Sequence, residues 1–71
     1  MKSIFEGKNQ QERTTILINA MKDYAARPRR YKITRIDLLN FAVGYIGDRT
    51  VYLNKVVDTA NELAIEGIID Y

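Results

Sequence analysis

Residues 50–71, TVYLNKVVDTANELAIEGIIDY, constrain the rest of the chain most. Leu53, Val56, Val57, Ala60, Leu63 and Ala64 recur at the three-and-four spacing that lines one face of an amphipathic helix. Gly67 follows as the residue able to take the left-handed conformation that closes a helix, and residues 68–71 read as a short strand. A chain that ends in a long helix and a strand must supply the other walls of a core from what precedes them.

Those walls have to be made without staples. The 71 residues include no cysteine and no histidine, so disulfides, thiolate–metal sites and imidazole chemistry are excluded. The 46% hydrophobic content suits one folded domain and is too high for a disordered segment. No apolar run approaches the roughly 18 residues of a membrane span, and the N-terminus does not resemble a signal peptide. The expectation is a soluble, cytoplasmic chain with no membrane partner. A domain over residues 9–71 is preceded by residues 1–8, an arm or short strand carrying the apolar pair Ile4 and Phe5. Ile4 and Phe5 could tuck onto the domain or reach a second subunit.

The first helix is expected to start at Asn9, where an N-cap and Glu12 three positions later form a capping-box pattern. Its inner stripe is Ile16, Leu17, Ala20, Met21 and Tyr24, with Arg13, Asn19, Lys22 and Asp23 opposite. Pro28 stops it near Ala26 by biasing Arg27 away from helical geometry. Tyr31, Lys32 and Ile33 alternate as a short strand does. Thr34 with Asp37 repeats the capping pattern ahead of a second helix, whose inner face is Leu38, Leu39, Ala42, Val43 and Ile46. Gly47 to Thr50 is turn chemistry, with Asp48 or Thr50 available to cap the third helix. The fold class is mainly α with a small β element, in the order helix, strand, helix, helix, strand.

That order resembles the winged helix-turn-helix DNA-binding family. The resemblance is carried by residues 9–71, and most specifically by Val56, Ala60, Leu63, Gly67, Ile68 and Ile69, which are similar to the end of the recognition helix in small regulators. It implies a three-helix winged-helix-like domain in which Tyr31 to Ile33 pair with Ile68 to Asp70, without a full wing. It also implies that the N-terminal turns of the third helix enter the major groove of double-stranded DNA. By position the base-reaching residues would be Arg49, Thr50, Tyr52, Asn54, Lys55 and Thr59. A plainer reading makes Thr50 a cap, packs Tyr52 on the second helix and leaves Lys55 solvated.

Charge is strongly segregated. Residues 1–36 hold nine Lys/Arg against three acids, and residues 37–71 hold two against six. Five cations, Arg27, Arg29, Arg30, Lys32 and Arg35, fall within nine positions around Tyr31. Fixed positive charge suits phosphate, and a guanidinium grips it with two hydrogen bonds; the alternative is a solubilising loop. Asp58, Glu62 and Glu66 repeat every four positions on the third helix. That face must turn away from a duplex, and it could meet a basic protein or the basic cluster of a second copy. Catalysis finds no G-x-S-x-G sequence and no Gly-rich phosphate loop, and the sequence implies no cofactor. The first expectation is a homodimeric transcriptional or replication regulator, joined through its first helix or the arm. The second is a non-enzymatic protein-interaction module, of the kind a virus or mobile element would use, binding through the acidic face.

Overall fold

The computed structural model describes residues 5–71. Three helices pack against one another: α1 (Gln10–Ala26), α2 (Arg35–Ile46) and α3 (Leu53–Ile65). Among the described residues no helix is long and apolar enough to cross a membrane.

Local chemistry sets the first two helix starts. Glu12 N–H donates to Asn9 Oδ1 at 2.8 Å while Asn9 N–H donates to Glu12 Oε1 at 3.2 Å. Thr34 and Asp37 do the same for α2 at 3.2 and 3.0 Å. Each reciprocal pair satisfies two amides that a helix start leaves without intrahelical partners. Arg27, ahead of Pro28, is extended and closes α1. At the end of α3, Gly67 has φ 79°, its N–H bonds Ala64 C=O at 3.1 Å, and Ile68 N–H reaches back to Leu63 C=O at 3.0 Å. This is a Schellman closure, and it turns Ile69 into the core.

The core joins Leu17, Met21 and Ala25 of α1, Leu38, Ala42 and Ile46 of α2, and Val56, Ala60, Leu63 and Ala64 of α3. Phe5, Val51 and Ile69 complete it from the connecting segments. Phe5 packs within its own chain, with its ring edge-on to Tyr45 at 5.6 Å. Ile4 lies outside the described residues.

Four expectations change. Residues 31–33 and 68–71 do not form strands: a single parallel bridge joins Thr34 and Asp70, through Arg35 N–H to Asp70 C=O and Asp70 N–H to Ile33 C=O, both 2.8 Å. The capping box at Thr34 starts α2 at once, so the segment has no length left for a ladder. The third helix begins at Leu53 with Tyr52 as its N-cap and no side-chain cap, so neither Asp48 nor Thr50 caps it. Val43, Leu53 and Val57, expected inside, are exposed, because the neighbouring helices cover a narrower stripe than the apolar periodicity marks. Thr59, expected to reach outward, is buried, and its hydroxyl donates to Lys55 C=O at 2.8 Å.

Candidate nucleic-acid interface

The expected contact residues fall into two groups at opposite ends of α1. Arg27, Arg29, Arg30, Tyr31 and Lys32 occupy the α1–α2 loop and are all exposed. Arg49, Thr50, Tyr52, Asn54 and Lys55 surround the start of α3, which is tied to the other end of α1. The tie is Thr14. Its buried hydroxyl accepts Tyr52 N–H at 2.9 Å and donates to Gln10 C=O at 2.8 Å. Beside it Arg13 Nε donates to Thr50 C=O at 2.9 Å and its Nη1 to Lys8 C=O at 2.6 Å. From Thr14 to Ala26 the helix climbs about 18 Å, which is the approximate separation of the two groups.

Three cations of the α1–α2 loop have no carboxylate partner. Among the described residues the single ion pair is Arg27 with Asp23, at 3.7 Å between exposed side chains, and it holds little energy. Arg29, Arg30 and Lys32 are exposed, and Arg29 Nη1 donates to Arg27 C=O at 3.3 Å. Arg27, Arg29, Lys32 and Tyr31 border a hollow of about 190 Å³ whose floor is Ala25, Ala26, Ile33 and Ile68. The Tyr31 ring is 75% exposed, with the Arg30 guanidinium 5.6 Å from its centre.

Arg29 is held from beneath. Its guanidinium lies 4.4 Å from the centre of the Tyr24 ring, and Tyr24 stacks on Phe41 at 4.0 Å with the planes 3° apart. Phe41 continues to Tyr45 at 5.5 Å, Tyr45 to Phe5, and Phe5 to the Arg49 guanidinium at 5.5 Å. An unbroken row of rings thus runs along the α1–α2 face with an arginine at each end. Attraction of a guanidinium to a ring face orders the fork without neutralising it, so Arg29 and Arg49 keep their charge on one face.

Arg35 does not belong with the other cations. It is half-buried, its Nη1 donates to Asn61 Oδ1 at 2.7 Å, and its guanidinium lies 5.6 Å from the Tyr71 ring centre. It braces α2 against α3.

On α3, Asn54 and Lys55 are exposed in the first turn. Lys55 shares a shallow depression with Lys22, Asp58 and Glu62, within none of whose pairs a salt bridge forms. Asp58, Glu62 and Glu66 are exposed on the following turns. Carboxylates there confine any duplex contact to the first turn of the helix. Thr14, Arg13 and the ring row escaped the sequence reading. Comparison of the chain with protein-family models, curated proteins and solved structures finds no match, so the winged-helix resemblance rests on its residues alone.

Proposed function

We propose that the chain is a small DNA-binding regulator that grips the phosphate backbone through its α1–α2 loop. The observation that carries this reading is the set Arg29, Arg30 and Lys32, exposed and without carboxylate partners, with Arg29 and Lys32 bordering one hollow beside Tyr31 and Arg30 against the Tyr31 ring. Phosphate oxygens supply the counter-charge these side chains lack, and a pre-ordered Arg29 loses little freedom on binding them. Arg49, at the far end of the ring row, provides a second contact on the same face. At about 3.4 Å per phosphate along a strand, the separation corresponds to about five phosphates. Base contact would come from Asn54 and Lys55, two side chains able to meet adenine and guanine edges. With so few readers, sequence preference is shallow beside backbone affinity.

Anisotropy of a labelled random duplex at low and moderate salt tests the reading, comparing wild type with the Arg29→Glu/Arg30→Glu double variant. Salt-sensitive binding that the double change abolishes is the expected result. A folded wild-type protein that leaves the duplex free at low salt overturns it.

A second reading is favoured by the acidic edge of α3. Asp58, Glu62 and Glu66 are exposed and, like Arg29 and Arg30, outside any ion pair among the described residues, which suits a basic protein partner. Partner capture that survives loss of the basic loop and fails on Asp58→Lys/Glu62→Lys would favour it.

A further inference from the structure

The hollow beside the α1–α2 loop is more than an anion site. Its walls come from three segments: Ala25 and Ala26 at the end of α1, Tyr31 and Ile33 in the loop, and Ile68 after the Gly67 turn. The bond from Asp70 N–H to Ile33 C=O, at 2.8 Å, ties the last two together, so backbone holds the floor in place. The two alanines leave the space open, and the two isoleucines make it apolar. No carboxylate lines it, while Arg27, Arg29 and Lys32 stand around its edge. Tyr31 is three-quarters exposed at that edge, with the Arg30 guanidinium over its ring. Phosphate needs neither the apolar floor nor the ring. A ligand that engages floor, ring and cations at once is an apolar plane with anionic groups on its flanks.

We infer that the hollow receives one unpaired nucleobase of a DNA strand, stacked on Tyr31, with Arg29 and Lys32 on the flanking phosphates. Such binding rests on the phosphate grip proposed for the same loop, and adds to it a preference for single-stranded or locally melted DNA. The size fits a single base. The hollow measures about 190 Å³, above the roughly 150 Å³ that holds a benzene ring and below the roughly 300 Å³ where sites for larger ligands begin. Every base has a π-face, so stacking here is tolerant of sequence. In an intact duplex those faces are covered by neighbouring bases, and the hollow stays unused. Cations alone favour the duplex, which carries a charge per about 1.7 Å against about 3.4 Å for one strand. A preference for the strand therefore has to come from its bases or its flexibility, and an abasic strand separates the two.

Anisotropy with three labelled probes of about 12 nucleotides tests this: oligothymidylate, the same strand with every base removed, and a duplex. Wild type is expected to bind oligothymidylate on the order of 10-fold more tightly than the abasic strand. That margin should persist from low to moderate salt, because stacking releases no counterion. Tyr31→Leu should erase it while abasic-strand and duplex affinities, which depend on phosphate contacts, stay within about two-fold of wild type. Tyr31→Phe keeps the ring and should keep the margin. The position is exposed, and circular dichroism with a thermal melt checks that both variants stay folded. Equal affinity for oligothymidylate and the abasic strand overturns the inference and leaves the phosphate grip standing. So does a margin that Tyr31→Leu fails to reduce. Failure of all three probes to bind at low salt overturns both.

Discussion

Neutralising the loop one cation at a time gives the proposed function a quantitative form. Arg27, Arg29, Arg30 and Lys32 are the four cations the α1–α2 loop presents. With Arg49 they make five phosphate contacts, and if each displaces one counterion site on duplex DNA the slope of log affinity against log salt is about −4.5 in all, about −0.9 for each. Raising salt from 50 to 200 mM should then weaken binding roughly 500-fold. Arg29→Gln/Arg30→Gln leaves three contacts, a slope near −2.7, and a loss of only about 40-fold over the same range. Tyr24→Leu separates charge from order: it keeps every cation but removes the ring beneath Arg29. Its slope should match wild type while its affinity falls a few-fold, as the arginine regains freedom. Anisotropy titrations at five or six salt concentrations supply all three slopes. A wild-type slope that the double glutamine variant does not change would refute the assignment of the loop as the phosphate contact, whatever the absolute affinity.

Two further outcomes follow from the fold. Thr14→Val keeps the shape of a buried side chain but removes the acceptor for Tyr52 N–H, at a cost of about 1–2 kcal/mol. In a chain of this size that lowers the melting temperature by about 10 °C. Hydrogen exchange should quicken at the Tyr52 amide first; an unchanged melt and exchange would remove Thr14 from its role. The Asp37 carboxyl is held below its ordinary value of 3.8, first by the Thr34 backbone N–H and then by the Thr34 side chain. A depressed folded value means the stabilisation is complete above the unfolded value and lost as pH falls through the folded one. The difference in melting temperature between wild type and Asp37→Asn should therefore be full at pH 6 and close below about pH 3.8. A gap that holds or widens in acid contradicts the assignment.

What was legible in the sequence was local chemistry. Asn9 with Glu12 and Thr34 with Asp37 act within one turn, Pro28 restricts its own neighbour, and Gly67 needs only its own φ, so each takes effect as its residues alone dictate. The start of α3 was not legible in that way. Its Tyr52 amide is satisfied from 38 residues away by Thr14, and no pattern near Asp48 or Thr50 announces that. The two strands failed for a related reason: alternation over three residues marks an extended segment but does not say whether a partner lies alongside for one bridge or several. For the candidate site, the composition of the basic loop was plain. What the sequence hid was that Arg35 is spent on Asn61 and Tyr71, and that Arg49 to Lys55 lie a helix length from the loop.

The exposed valines and leucines show why periodicity overstates a core. Spacing alone assigns Leu53, Val57 and Val43 to the inner faces of their helices, and a hydrophobic residue has no code for how far the neighbouring helix extends. In a three-helix domain each helix covers one flank of the next, so a broad stripe is buried on one side and bare on the other. Both α2 and α3 leave bare margins toward the same groove, lined by Leu39, Val43, Leu53 and Val57, while Lys55, Asp58 and Glu62 of α3 lie beside Ile18 and Lys22 of α1. The molecule thus presents a cationic loop, an acidic edge on α3 and an apolar groove between α2 and α3.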